Sequence, residues 1–312
     1  MRRLVLRRLA MSVPLLLVVS AVTFIMIAFL PGDAARVVAG KQATAAQVAQ
    51  VREQLGLDRP LWEQYVTWLG GALHGDLGTS LVNKQSVTEQ LVSRLEPTLS
   101  LITCATLLAA VVGIAFGILG ARGGALGRLV DGLSVLGLAV PTFWLALILV
   151  VVFAVRLGLL PPLGYTSFQD SPTGWLLGLV LPALTLAVPA TAAIAKQARD
   201  AVADAMARPF VRTLRAAGVP ERSIILRHAL KNAAVPVLTV VGLAFIGALS
   251  GAIAIEYVFA FPGLGGTAVE ATAAGDLPLI QGVVIFLTVI VIVVNLLVDI
   301  AYGYFNPKVR VG

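Results

Sequence analysis

The sequence has 312 residues, of which 58% are hydrophobic and only 12% are charged, with a formal net charge of +7. This composition excludes an ordinary soluble domain, in which about a quarter of the residues are charged. The single cysteine, Cys104, excludes an intrachain disulfide. His74 and His228 stand far apart in the sequence, so no metal site is predicted from this chain alone.

Long stretches of the sequence carry no Asp, Glu, Lys or Arg. They are residues 9–32, 97–121, 132–155, 171–195, 232–255 and 277–298. About 20 apolar residues cross the hydrocarbon core of a bilayer as a helix, so these windows predict six transmembrane helices. The alternative is a large soluble protein with buried helices, which would need far more polar surface than this chain offers. The sequence therefore predicts an all-α membrane protein.

The first window follows four arginines, as the apolar run of a secretory signal also does. The run is longer than the ~7–15 residues of a signal peptide, and no A-x-A cleavage site follows it. We therefore expect a retained span, with residues 1–30 forming a cytoplasmic N-terminus and the first transmembrane helix.

Basic residues predict the orientation in the membrane. If the N-terminus lies inside, the inner segments hold 16 of the 23 Lys and Arg residues. The positive-inside rule then places both termini in the cytoplasm. The net charge is explained by this orientation, and no nucleic-acid partner is expected.

A segment of intermediate polarity, residues 31–96, separates the first two windows and is predicted to be an outer helical segment. Thr44 and Gln47 have the spacing of a capping box, and Gly56 supplies a helix stop. A second short helix follows Pro60. Its aromatic side chains form either a belt at the lipid headgroups, which the residues alone favour, or a docking surface for an outside partner. The docking hypothesis involves Trp62, Tyr65, Trp68 and Asp76.

Residues 97–312 are predicted to form a five-helix core. The expected bounds are about 97–120 for the second span, 132–156 for the third, 174–196 for the fourth, 197–232 for a cytoplasmic loop, 234–256 for the fifth span, 257–278 for an outer loop and 279–300 for the sixth span. Gly113, Gly117 and Gly120 have the spacing of a close helix contact. Pro141 is expected to kink the third span.

Catalytic motifs are missing from the sequence. It contains no phosphate-binding G-x-x-x-x-G-K-[ST] pattern, and no Ser-His-Asp set or paired carboxylates within a span can be assembled. A secondary transporter usually has ionisable groups near the bilayer midplane, whereas Glu256 and Asp299 lie at helix ends. If the chain transports a solute, its energy is therefore expected to come from a partner. Residues considered for the pathway lining, all of which are more often packing residues, are Ser134, Thr142, Trp144 and Asn295.

The loop between the fourth and fifth spans is unusually basic, because residues 196–231 contain eight of the 23 Lys and Arg residues. Gly218 suits the position just past a helix end, and Val219 must leave the helical conformation because it precedes Pro220. Glu221 then lies in the first turn of a second helix. Its predicted apolar stripe is Ile225, Leu226, Ala229, Leu230 and Ala233. This geometry favours a docking element for a cytoplasmic protein over a loop that contacts only lipid headgroups.

The stretch RAAGVPERSIILRHALKNAAVP (215–236) resembles the cytoplasmic EAA loop of ABC importer permeases, with Gly218 at the position of the loop glycine. The glutamate usual in that loop is absent, and Arg212 stands near its place. Other stretches resemble the first (B-type) subunit of dipeptide and oligopeptide permeases. They are LGLDRPLWEQYVTWLGGALHGDLGTSL (55–81), GLAVPTFWLALILVVVFAVRLGLLP (137–161) and EYVFAFPGLG (256–265).

This resemblance implies a peptide-importing permease subunit that is not itself an enzyme and carries no cofactor. The expected partners are a second homologous permease subunit, two cytoplasmic ATPase subunits or domains that bind ATP and Mg²⁺, an extracytoplasmic substrate-binding protein and membrane lipid. The expected location is the cytoplasmic membrane of a bacterium or archaeon. The residues implied in ATPase coupling are Arg212, Arg215, Ala216, Ala217, Gly218, Glu221 and Arg222. The alternatives are a nickel or glutathione importer of the same family, a stand-alone transporter or channel, and an assembly protein without cargo.

Overall fold

A computed structural model describes residues 2–29, 34–40 and 42–305 of the chain, and over these ranges the fold is built from helices. Apart from one isolated β-bridge between Thr79 and Ser86, these ranges contain no strand pairing. A helix satisfies its own backbone hydrogen bonds, which is a requirement in a bilayer that offers no water. The predicted all-α fold class is confirmed.

The α-helices are named in chain order. They are α1 (Arg2–Ala28), α2 (Ala34–Ala39), α3 (Ala45–Gln54), α4 (Leu61–Leu73), α5 (Val87–Gly120), α6 (Gly124–Ala139), α7 (Thr142–Leu149), α8 (Pro172–Ala207), α9 (Pro209–Ala216), α10 (Glu221–Ser223), α11 (Leu230–Val258), α12 (Leu264–Ala274) and α13 (Leu277–Phe305). Two π-helical segments, Val150–Arg156 and Ile224–Ala229, continue α7 and join α10 to α11.

Five of the described helical stretches are long and apolar enough to cross a membrane. They are Val5–Ala28, Val87–Gly120, Pro172–Ala207, Glu221–Val258 and Leu277–Gly303. The bent pair Gly124–Ala139 and Thr142–Arg156 supplies a sixth span if the two helices are counted as one.

Several helices extend beyond the predicted spans. The second span was expected to begin near residue 97, whereas α5 begins at Val87. Likewise, α8 continues to Ala207, so the first part of the predicted loop at 197–232 is helical. Charge-free windows identify the part of a helix that can lie in hydrocarbon, and they do not identify where the helix ends. The predicted boundary between residues 30 and 31 lies outside the described residues.

The third span is broken at the proline, beyond the kink that the sequence predicts. Val140 is extended, with φ −75° and ψ 122°, because the ring of Pro141 disfavours the helical conformation in the residue before it. The helix restarts at Thr142, and the two halves are bent by 97°.

The chain forms two compact units, of which the first lies within Met1–Val5, Leu99–Phe261 and Val293–Gly312. Helix α8 is central to this unit and packs against α6 and α11. Where α5 meets α8, Gly113 faces the Ile194 side chain, and Gly117 faces the Ala198 Cβ and the Ala195 carbonyl oxygen. The predicted close helix contact is therefore observed, and α8 is the neighbour that requires small residues there.

The second unit lies within Leu6–Thr98 and Pro262–Ile292. Helix α3 has the predicted capping box, in which the Thr44 side chain accepts from the Gln47 backbone N–H and the Gln47 side chain accepts from the Thr44 N–H. The predicted outer loop at 257–278 contains helix α12, which has one buried face that includes Leu264 and Ala271. The Leu264 backbone N–H donates to Thr98 Oγ1 over 2.8 Å.

Candidate coupling site and flanking surfaces

The candidate coupling site begins directly at the end of α8. Arg208 is extended, and Pro209 starts α9 with its fixed φ. Val211 is fully buried and fixes α9 to the rest of its unit. The sequence did not single out Val211, because a helix of eight residues shows too few turns to define a buried face by periodicity.

A tight turn follows α9 and contains Gly218. The Val219 N–H donates to the Leu214 carbonyl, and the Gly218 N–H donates to the Arg215 carbonyl, both over 3.0 Å. These two bonds define a Schellman motif, which satisfies the last carbonyls of the helix. Gly218 has φ +75°, in the left-handed region that side chains disfavour. The local sequence thus predicted the turn correctly.

An ion pair closes the turn. Arg215 donates from Nε to Glu221 Oε2 over 3.1 Å and from Nη2 to Oε1 over 2.6 Å. These hydrogen bonds raise the pKa of Arg215. The pair precedes the apolar part of the following span, and both side chains are about half exposed. Two parallel bonds restrict the relative orientation of α9 and α10 more than a single contact does.

The residues implied in coupling form one contiguous and exposed surface. All of them are exposed in the structure: Arg212, Arg215, Ala216, Ala217, Gly218, Glu221 and Arg222. A Cβ added at Gly218 would meet nothing within 4 Å in this chain. The turn is therefore shaped by its own backbone bonds and is accessible to another molecule.

The base of the turn is anchored through the π-helical segment. Ile224 is fully buried, and Ile225 joins a buried cluster with Val202 and Ala229. Leu226, which the predicted stripe included, is 45% exposed. The difference arises because hydrogen bonds from residue i to i+5 rotate the faces relative to an α-helix. Periodicity at 3.6 residues therefore identified Ile225 and Ala229 but missed Ile224.

A salt bridge connects the helix that precedes the turn to a neighbouring span. Arg199 on α8 donates from Nη1 to Asp131 Oδ1 on α6. Its aliphatic stem lies close to α5, since a Cβ added at Gly120 would stand 3.2 Å from Arg199 Cδ. From the sequence, these charges served only to predict the orientation of the chain in the membrane. Their pairing across 68 positions leaves no trace in a single sequence.

Residues considered for a pathway lining are not brought together. Ser134 is buried and lines a groove of about 320 Å³ between α5, α6 and α8. Thr142 and Trp144 lie at the start of α7, beyond the bend, and Asn295 is exposed on α13. None of these three is among the residues that line the Ser134 groove.

The residues considered for docking separate into two groups. Tyr65 and Trp68 stack on each other and pack against Phe24 of α1, with ring centroids 5.5 to 6.4 Å apart. The Tyr65 hydroxyl also lies 2.8 Å from Ser20 Oγ. Trp62 is 67% exposed, and Asp76 is exposed as well. Tyr65 and Trp68 thus fasten α4 to α1, and Trp62 and Asp76 face outward.

The stretch LHGDLGTSL (73–81) is held at its end by a buried carboxylate that the sequence did not single out. Asp276 is 1% exposed, accepts from Ser80 Oγ and accepts from the Leu81 backbone N–H over 3.1 Å. A buried carboxylate requires such donors. The partners are almost 200 residues apart, so the sequence offered no signal for this contact.

A fold of several membrane-length helices, with an exposed and internally braced helical turn between the fourth and fifth spans, defines the chain as a multi-pass membrane protein. Residues 113–311 match the family described as "Binding-protein-dependent transport system inner membrane component". Residues 1–102 match the N-terminal region of such membrane components. The chain belongs to this family, and it is an ABC importer permease.

Individual relatives agree with this assignment. The chain is 41% identical over 312 residues to a protein of Brucella abortus (strain 2308) named a peptide transport system permease, with 99% of each chain covered. It is 40% identical over 306 residues to the glutathione transport system permease protein GsiC of Pectobacterium atrosepticum, with 97% of each covered. An inward-facing structure of the MetNI methionine ABC transporter has a similar fold, with a TM-score of 0.57 at 18% identity. That likeness covers 70% of this chain and 97% of the other.

Proposed function

We propose that this permease takes up di- or oligopeptides, and that partner subunits hydrolyse the ATP that drives it. The observation that carries the coupling proposal is the exposed Schellman turn at Gly218, which the Arg215–Glu221 pair braces. An exposed, preorganised element loses little conformational entropy on docking, so it transmits force without first having to fold. The peptide assignment is supported by relatives whose names state peptide transport and whose full length this chain covers.

The proposed assembly contains a second homologous permease subunit, two cytoplasmic ATPase subunits or domains and a substrate-binding protein outside the cell. ATP and Mg²⁺ bind to the ATPases, and this chain contributes no nucleotide site or catalytic residue. The membrane is the cytoplasmic membrane of a bacterium or archaeon. Both termini lie in the cytoplasm, as the distribution of Lys and Arg favours.

Coupling in this proposal runs through rigid packing. Closure of the ATPases moves the Gly218 turn, and the buried cluster of Ile225, Val202 and Ala229 carries that displacement to α8. The Arg199–Asp131 salt bridge then carries it from α8 to α6. Packed helices shift as units because close-packed interiors do not deform continuously.

Uptake in a reconstituted system tests the substrate proposal. The complete transporter is placed in liposomes with its substrate-binding protein, and uptake of labelled di- and tripeptides, glutathione and nickel is compared. We expect ATP-dependent uptake of α-linked peptides and little uptake of nickel. A preference for glutathione would make glutathione the substrate in place of α-linked peptides, as the name of the glutathione permease relative allows. Uptake without ATP or without ATPase subunits would contradict the coupling proposal.

We further propose that Trp62 and Asp76 contact the binding protein. Trp62→Ala is expected to weaken binding of the purified binding protein to the reconstituted transporter by about fivefold or more, since an exposed tryptophan at an interface is often an energetic hot spot. The matched variant Trp68→Ala removes a packed tryptophan, so we expect a lower thermal midpoint of the complex. Unchanged binding-protein affinity in the Trp62→Ala variant would favour the aromatic belt.

A further inference from the structure

A cavity of about 610 Å³ lies directly beside the Gly218 turn, between the ends of α5 and α8 and the π-helical segment. Its inner wall is apolar and its rim is charged. The apolar lining consists of Ile118, Ala121, Val202, Met206, Ile225 and Leu226. The charged rim consists of Arg122, Arg215, Glu221 and Arg222.

The rim has a surplus of positive charge. Arg215 is paired with Glu221. Arg122 and Arg222 are both exposed, and no carboxylate within the described ranges forms an ion pair with either. Two guanidinium groups line this cavity, and each offers a fork of N–H donors that matches phosphate geometry.

A second cavity adjoins the first. It has a volume of about 660 Å³, runs between α5 and α11, and shares Leu226 with the first cavity. On α5, Ile114 of the second cavity lies one helical turn from Ile118 of the first. The second cavity is lined by Ile114, Leu226, Leu230, Lys231, Ala234, Val237 and Leu238. Apart from the Lys231 side chain the second lining is apolar, so a charged opening and a largely apolar trough meet at Leu226.

We infer that the two cavities bind one anionic phospholipid, with its phosphate at Arg122 and Arg222 and an acyl chain along Leu226, Leu230 and Leu238. Charge and polarity favour this occupant. The trough offers the acyl chain an apolar wall, and basic pockets between membrane helices commonly hold anionic headgroups. A bound lipid would connect the end of α5 to the segment that follows the Gly218 turn.

Native mass spectrometry of the complete transporter in mild detergent, titrated with phosphatidylglycerol, tests the headgroup site. Each basic residue near an anionic headgroup accounts for about a fivefold change in affinity. The double variant Arg122→Gln/Arg222→Gln is therefore expected to bind about 25-fold more weakly, measured only on complexes that keep both ATPase subunits, because Arg222 is also implied in coupling. Arg227→Gln is the matched control, because Arg227 is exposed on the same π-helical segment and lines neither cavity. Equal weakening by the control would show general charge attraction and overturn the site.

The trough is tested by filling it. Leu238→Trp is expected to reduce phosphatidylglycerol binding at least tenfold, whereas Leu243→Trp, at a 61% exposed position of α11 outside the trough, should leave it unchanged.

Phosphatidylcholine with the same chains should bind more weakly than phosphatidylglycerol. Inorganic phosphate should not displace the lipid. Full displacement by phosphate, or occupation by a photoreactive substrate peptide in place of lipid, would overturn the inference. These binding readouts do not depend on which solute is transported.

Discussion

Replacement of Gly218 by aspartate is expected to stop coupled uptake while the transporter still assembles in the membrane. The turn is exposed, and an added side chain meets nothing in this chain, so the cost to the fold is limited to the backbone strain of a side chain at φ +75°. A side chain there would instead obstruct a partner that approaches the backbone closely. Overpacking a tight contact costs about 1–3 kcal/mol, which corresponds to a roughly 5- to 150-fold weaker interaction. ATP hydrolysis and uptake, measured together in liposomes, should become uncoupled.

A matched control exists on another loop. Gly158 is also exposed, has φ +61° and has nothing within 4 Å of an added Cβ. Gly158→Asp therefore introduces the same charge and the same backbone strain away from the proposed coupling site, and uptake should be retained. If Gly218→Asp transports as well as the parent protein, the docking role of this turn is wrong.

Asparagine at position 218 separates the two roles of the glycine. Asparagine adopts the left-handed conformation more readily than most residues, so Gly218→Asn keeps the turn but adds a side chain. If close approach matters, this variant should lose coupling as Gly218→Asp does. If only the turn matters, it should transport almost normally, and Gly218→Val, which is strained at φ +75°, should be the defective one.

Replacement of Gly117 by alanine is expected to destabilise the chain by about 1–3 kcal/mol, although alanine is the better helix former. A methyl group at this position would overlap the Ala198 Cβ and stand 2.9 Å from both the Ala195 carbonyl oxygen and the Arg199 backbone nitrogen. Two of these neighbours are backbone atoms of α8, which cannot move without separating the helices. The thermal midpoint of the purified transporter in detergent should fall measurably.

Gly132→Ala is the control for this effect, because its added Cβ would meet nothing within 4 Å on α6. There the helix propensity of alanine acts alone, so the thermal midpoint should stay constant or rise slightly. Opposite signs for the two substitutions would establish close packing of α5 on α8. A Gly117→Ala variant as stable as the parent would mean that the two helices stand further apart than the structure has them.

The sequence by itself determined the features that depend on neighbouring residues. Charge-free windows identified the membrane-crossing stretches, since one apolar segment of sufficient length partitions into a bilayer without help from the rest of the chain. The capping box at Thr44 and the turn at Gly218 were also predicted, because their hydrogen bonds join residues no more than five positions apart. Such bonds are specified by local chemistry.

Only the tertiary structure decided which distant groups meet. Asp276 with Ser80 and Arg199 with Asp131 are pairs that no local pattern encodes, because their proximity results from the packing of whole helices. The same reason explains the buried position of Ile224, which depends on a π-helical register. It also explains why the residues considered for a pathway were not brought together. Local rules fix each helix and turn, whereas the faces that helices bury are chosen by the neighbours they pack against.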